Sequence, residues 1–315
     1  MTDGYDVIVV GGGAAGLSAG LTLARARRPV LVVDAGDPRN APADGVHGFL
    51  SREGVAPARL LAAGRAELLN FGGELRAGKA TAARVIDNGF EVDIDADVVR
   101  ARRLIVATGL VDELPDLPGL RERWGRDVLH CPYCHGWEVR DQRIGVLARG
   151  PLSVHQAQLF RQWSADVSLF THTHDGPTDE QLEQLAARGI RVVPGEVTEV
   201  VVAGGRLSGL RIADDSVVGL DAVVVGPRMA ARSEVLESLG IEPADLEYEG
   251  HVVGTYIAAE STGRTELAGV YVAGNVADLQ AQVMAAAAAG VKVAAAVNAD
   301  LIEEEITAAV ARHRG

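Results

Sequence analysis

Cysteine is almost absent from this chain, with two in 315 residues, Cys131 and Cys134. A secreted domain stapled by disulfides would be small and would use several pairs, so both length and number exclude that class. Basic residues are also short, 30 Lys and Arg against 43 Asp and Glu, a net charge of −13. That balance argues against a nucleic-acid binder, whose phosphate contacts need clustered cations. No apolar run reaches the roughly 18 uncharged residues that a membrane span requires, and the alanine-rich stretch 285–297 is interrupted by Lys292. The segment Met1 to Asp6 lacks a basic n-region, so no export is expected and the expected location is cytoplasmic. What remains is ordinary for a globular protein: 48% hydrophobic and 23% charged residues, which excludes disordered and collagen-like classes. The length exceeds one compact core and suggests two domains.

The two cysteines form a C-x-x-C motif. A zinc ribbon would need a second pair, and His130 and His135 are too close in sequence to close a tetrahedral site alone, so no metal is expected. Two buried thiols without a role are a further reading. A redox dithiol is favoured, because the spacing holds two sulfurs close enough to bridge and one thiol in such motifs acidifies toward neutrality. Pro132 fixes its own φ and restricts Cys131, which lowers the entropy cost of ring closure.

A second motif opens the chain. Tyr5–Val10 reads as a buried parallel strand, the turn Gly11-Gly12-Gly13-Ala14-Ala15-Gly16 follows, and Leu17–Arg27 reads as a helix. Val30–Val33 is the next strand, ending at Asp34 and Ala35, with the acid 18 residues beyond Gly16. This is the dinucleotide arrangement. Gly11 permits the turn, Gly13 lets a pyrophosphate approach backbone amides, Gly16 lets helix and strand pack, and Asp34 can accept from a ribose. Arg103–Gly109 is a strand closing on Ala107-Thr108-Gly109, and Leu267–Asn275 is another closing on Gly274-Asn275. The expected fold is therefore α/β, with two Rossmann-like, three-layer ββα dinucleotide-binding domains, the second inserted in the first. The first domain comprises 1–114 and 246–315, and the insert 115–245 repeats the strand-helix pattern through Arg143–Leu147, Leu152–Trp163 and Asp166–Phe170.

The order of Gly-rich turn, Ala-Thr-Gly, C-x-x-C and late Gly-Asn turn resembles the low-molecular-weight thioredoxin reductases among the FAD disulfide oxidoreductases. The resemblance implies a homodimer with FAD in the first domain. It places Cys134 toward the isoalloxazine and gives Cys131 the exchange with substrate. Gly274-Asn275 stands where the family usually has Gly-Asp, and Gln282-Val283 begin a helix whose N–H groups would face the flavin pyrimidine. Two departures bear on function. The second G-x-G-x-x-G/A is reduced to Ala148-Arg149-Gly150-Pro151-Leu152-Ser153, and the cluster that would hold a 2′-phosphate reads Thr171-His172-Thr173-His174-Asp175. Side chains at 148 and 153, a lost N–H at Pro151 and two mostly neutral histidines imply a degenerate nicotinamide site.

The stretch Cys131-Pro-Tyr-Cys-His-Gly-Trp-Glu138, with Asp37-Pro-Arg-Asn40 and Gly48–Gly54, resembles the dithiol oxidase branch, the gliotoxin- and holomycin-type enzymes. This implies that a small-molecule, natural-product dithiol reduces the Cys131–Cys134 disulfide, and that electrons pass from Cys134 to FAD and on to O2, giving H2O2. His135 is the first candidate for the base, and as imidazolium it would favour the thiolate; His130 is the second. Each could instead be a loop or packing residue. Asn40 is a candidate contact to the flavin edge or the sulfurs, or a turn residue. His47 and His155 are weaker candidates, and Tyr133 and Trp137 either floor an apolar pocket or simply pack the loop. Two other functions stay open: a thioredoxin reductase-like enzyme that reduces a protein disulfide with NADPH or another donor, and a non-enzymatic flavoprotein redox sensor.

Overall fold

The computed structural model describes residues 4–314; Met1–Asp3, part of the segment read for an export signal, and Gly315 lie outside it. The chain alternates strands with helices, and the first sheet has seven strands. Glu74–Ala77, Val30–Asp34, Tyr5–Val10 and Asp97–Val106 run parallel side by side, and Val270–Val272 adds in parallel to Asp97–Val106. Ala80–Ile86 and Gly89–Ile94 extend the sheet as an antiparallel meander. Side chains alternate between faces along the strand Tyr5–Val10. Val7 and Val9 pack with Leu17, Leu23, Val293 and Val297 of the helices, whereas Ile8 and Val10 pack with Phe90, Val92 and Ile94 of the meander. Sheet, meander and helices thus form three layers.

The helix after the Gly-rich turn spans Ala14–Arg25 and stops there because Arg27 enters the left-handed region at φ 63°. The last helix, Val283–Arg314, runs for 32 residues and lays Ala286, Gly290, Val293, Ala294, Val297 and Leu301 against the core. Its length and hydropathy would also suit a membrane span. It packs on the first helix instead: a Cβ at Gly290 would overlap the carbonyl of Ala15, so the two helices touch backbone to backbone. Its carboxyl half is held by ion pairs of Arg28, Arg102 and Arg103 with Asp6, Asp300, Glu304 and Glu305.

The insert repeats the design. Arg191–Val193, Val167–Phe170, Ile144–Leu147, Ala222–Val225 and Val128–Leu129 form a five-stranded parallel sheet, flanked by an antiparallel meander from Val197 to Gly219. Leu152–Phe160 covers one face, ending before the expected Trp163 because Arg161–Trp163 leave the helix in a turn. A separate four-stranded sheet joins Leu110–Glu113, Arg228–Ala231, His251–Tyr256 and Ala244–Tyr248. The expected boundary at 245/246 falls inside the strand Ala244–Tyr248, and the chain passes between the two large sheets at 110–113 and 226–231.

Candidate active site

The carboxyl ends of Tyr5–Val10, Val30–Asp34, Asp97–Val106 and Val270–Val272 open onto one cavity of about 1560 Å³, the crevice where open α/β sheets bind ligands. It is lined by Gly11 to Ala15, Asp34, Ala35, Asn40, Ala107 to Gly109, Gly274, Asn275, Gln282 and Val283, together with His130, Cys131, Cys134 and His135. The structure therefore brings the expected cofactor residues and the redox pair together. Gly16 does not line the cavity; it sits beneath, where a Cβ would overlap the carbonyl of Gly11. Gly11 itself has φ +110° and lies against Ala107. Gly13 caps the first helix, and beyond its own chain neighbours no atom lies within 4 Å of where its Cβ would stand. That open space beside free helical amides is a cradle sized for phosphate.

These residues fit FAD. Asp34 accepts from the amide of Gly36 at 3.1 Å and from Arg65 Nη2 at 2.7 Å, and its carboxylate keeps acceptor capacity for a ribose. Asn275 has another task as well. Its Nδ2 donates to the carbonyls of Asp278 and Ala281, each at 2.9 Å, and so sets the approach to the last helix. Thr108 donates to the carbonyl of Arg232 at 2.6 Å, tying the Ala-Thr-Gly turn to the crossover strand.

Cys131 stands at the amino end of the short helix Pro132–His135, where Pro132 occupies the first turn without losing a needed donor. Both cysteines are free and half-buried. Cys131 is held down to about 7 by the Cys134 thiol, by the Tyr133 and Cys134 amides and by the charge of Arg39. Cys134 is pushed up by its hydrogen bond to Cys131 and by burial. The pair therefore shares a proton, with the negative charge on Cys131, the sulfur expected to meet substrate.

The histidines depart from expectation in one respect. His135 was expected to supply either a base or an imidazolium, and burial lowers it below the ordinary histidine range. Both of its ring nitrogens are buried with no hydrogen-bond partner among the described residues. A neutral imidazole with an uncommitted acceptor can take a proton but offers no standing positive charge. His130 is likewise lowered by burial, and Gln156 Nε2 lies 3.2 Å from both its Nδ1 and its carbonyl. Arg39, whose charge lowers both cysteines, lines the same cavity, and its Nε and Nη2 donate to Asp112 at 2.7 and 2.6 Å. Sequence reading quoted Arg39 only as part of Asp37-Pro-Arg-Asn40 and gave no role to it, to Asp112 or to Gln156, because 73 residues separate Arg39 from Asp112 and 26 separate Gln156 from His130. His47 pairs with Glu53 at 2.6 Å and approaches Glu138 at 3.6 Å on the rim. Tyr133 packs edge-on against Trp163, while Trp137 lies under Arg140 on the surface and does not line the cavity.

In the second turn, which also lines the cavity and is open beside Gly150, one amide is occupied by the protein itself. The backbone N–H of Arg149 donates to Ser153 Oγ at 3.0 Å, so a group that would meet phosphate is already satisfied. Arg149 Nη1 reaches back to the carbonyls of Glu113 and Gly226, at 3.2 and 3.3 Å. His172 and His174 accept from the amides of Val197 and Gly176 through their Nδ1 atoms, which commits both to their own backbone.

Comparison with known proteins agrees with this geometry. The chain is 44% identical to HlmI, whose crystal structure superposes with a TM-score of 0.91 over 100% of this chain and 99% of that one. An oxidoreductase from Agrobacterium tumefaciens matches at 35% identity and a TM-score of 0.88, covering 95% of this chain and 99% of the other. Thioredoxin reductase tcpT of Claviceps purpurea is 32% identical over 75% of this chain and 78% of its own length. Thioredoxin reductase sirT of Leptosphaeria maculans is 28% identical over 96% of both. The family description for pyridine nucleotide-disulphide oxidoreductases matches residues 5–292. With two Rossmann-like domains, a C-x-x-C turn and a cradle that fits FAD, the chain belongs to the pyridine nucleotide-disulphide oxidoreductase family, as a thioredoxin reductase-like flavoprotein whose cofactor is FAD.

Proposed function

We propose that this protein is an FAD-dependent dithiol oxidase, which closes a disulfide in a small-molecule, natural-product dithiol and passes the electrons to O2, giving H2O2. The carrying observation is Ser153 Oγ bound to the Arg149 amide inside the second cradle, which leaves the nicotinamide route poorly furnished. Electrons then enter through sulfur. One substrate sulfur attacks Cys131, breaking the Cys131–Cys134 bond and leaving the pair of electrons on Cys134. The second substrate sulfur attacks the first and expels Cys131 as a thiolate. Its value of about 7 makes Cys131 a good leaving group near neutrality. The product departs with its new S–S bond, and two electrons remain on the cysteine pair. His135, neutral and unpartnered, takes the proton that substrate or Cys134 must lose. FAD, when bound, supplies a two-electron acceptor that oxygen can reoxidise. The reading takes the enzyme as a cytoplasmic homodimer.

The relatives named thioredoxin reductase favour a second reading, reduction of a protein disulfide. One experiment separates the two. The holoenzyme is mixed anaerobically with dithiothreitol, and separately with NADPH, while flavin absorbance near 450 nm is recorded. The oxidase reading expects bleaching by the dithiol, recovery with peroxide on admitting air, and no response to NADPH. Rapid bleaching by NADPH would overturn it.

A further inference from the structure

The main chain that enters the redox turn is gripped by a side chain from the helix after the second turn. Gln156 stands on that helix, Leu152–Phe160, and its Nε2 lies 3.2 Å from the carbonyl of His130 and 3.2 Å from the Nδ1 of the same residue. Both residues line the cavity that Cys131 and Cys134 also line. The His130 carbonyl belongs to the peptide bond with Cys131. One side chain thus holds both the ring of His130 and the backbone that leads into the first sulfur.

These two contacts fix where the ring carries its proton. A carboxamide has a nitrogen that only donates and an oxygen that only accepts, and the two ends are alike in shape. A backbone carbonyl only accepts. The end of Gln156 that meets the His130 carbonyl is therefore the nitrogen. Its oxygen is turned toward Gly226, 3.8 Å from where a Cβ on that glycine would stand. The same nitrogen faces Nδ1. With a proton on Nδ1, two N–H groups would point at each other, so Nδ1 is the acceptor and the proton of the neutral ring sits on Nε2. Imidazolium is disfavoured on the same ground, because it carries N–H on both nitrogens. Burial agrees, since it lowers His130 below the ordinary histidine range.

We propose that Gln156 is a positioning residue that fixes His130 as the Nε2–H tautomer, so that His130 can donate a hydrogen bond but not take a proton, and proton acceptance falls to His135. The contrast between the two rings is geometric. The one lone pair of His130 is already in use, whereas both nitrogens of His135 are buried without a partner among the described residues.

The test reads the tautomer itself. Oxidised holoenzyme with isotope-labelled histidine is studied by two-bond proton–nitrogen correlation at neutral pH, and the His130 signals are identified by their loss in His130→Asn. The expected pattern is an Nδ1 signal in the range of an unprotonated ring nitrogen and an Nε2 signal in the range of a protonated one. Gln156→Leu removes the donor, and the two signals should move toward each other as the tautomers mix. Gln156→Glu puts an acceptor beside Nδ1, whose signal should shift into the protonated range. Gln156→Met replaces the leucine variant if that one does not retain flavin. A protonated Nδ1 in the parent protein would overturn the proposal. So would signals that stay in place in an uncharged variant with a native flavin spectrum, since Gln156 would then only pack. The tautomer is read without dithiol or oxygen, and only the division of labour between the histidines rests on the oxidase reading. In dithiothreitol turnover the acid limb should survive His130→Asn, and its loss there would return the base to His130 and overturn that division. If dithiols fail to bleach the flavin while the tautomer still follows residue 156, the oxidase reading falls and the role of Gln156 stands.

Discussion

Single side chains decide what this site can do. His135 is the clearest case, because burial favours its neutral form and its ring nitrogens have no partner among the described residues. Since burial lowers it, the base form persists as pH falls below 6.5, and the acid limb of dithiol turnover should lie below that value. His135→Asn should reduce kcat about 100-fold and abolish that limb, as measured by oxygen uptake with dithiothreitol between pH 5 and 9. Gly16 is the structural counterpart. A methyl group there meets the Gly11 carbonyl, so Gly16→Ala should cost about 2 kcal/mol or more and release FAD, read as lost absorbance at 450 nm after gel filtration. The glycine positions were legible in the sequence because backbone geometry leaves few alternatives at such a turn. The state of His135 was not, since adjacency to Cys134 says nothing about which way a ring points or what covers it. Arg39 was quoted in the sequence without a role for a related reason: its partner Asp112 is brought near only by the fold.

At the scale of elements, the main strands and the three-layer plan were read from apolar runs and glycine turns, whereas the order of strands within each sheet comes from the structure. The last helix was read through its alanine-rich start, yet its far half behaves differently. Residues 302–314 stand exposed, and the part near the sheet is tethered by Arg28, Arg102 and Arg103. Asp300, Glu304 and Glu305 are all lowered by these arginines, Glu305 to about 2. Carboxylates lowered by folding contribute stability that is complete above their unfolded values near 4 and lost as pH falls through the folded ones. The tether should therefore loosen between about pH 4 and pH 2, and high salt should weaken it earlier because the pairs are exposed. Amide exchange in 298–314 measured at pH 6 and pH 3 checks this; equal protection at both would refute it.

The molecule as a whole carries a net charge of −13, and its two cysteines line a large open cavity. Such a field repels anions over about a Debye length, roughly 10 Å at 0.1 M salt. Dihydrolipoate, an anion, should be a poorer substrate than neutral dihydrolipoamide at low ionic strength, and the gap in kcat/KM should narrow severalfold as salt rises. A salt-independent ratio would mean that the local arginine, not the overall charge, governs approach. The two-domain plan was visible from the repeated strand-helix pattern, but the crossover sheet was not, because its four short strands come from three separated stretches of chain.

The internal bonds of the second turn carry a consequence for attempts to furnish it with a coenzyme. Removing the Ser153 hydroxyl would bare one amide, yet Pro151 would still lack an N–H and Arg149 would still span the mouth to Glu113 and Gly226. If the dithiol-oxidase reading holds, a double variant, Pro151→Gly with Ser153→Gly, should still ignore NADPH, because the Arg149 side chain keeps its two carbonyl partners, and titrating that variant with NADPH near 340 nm checks it.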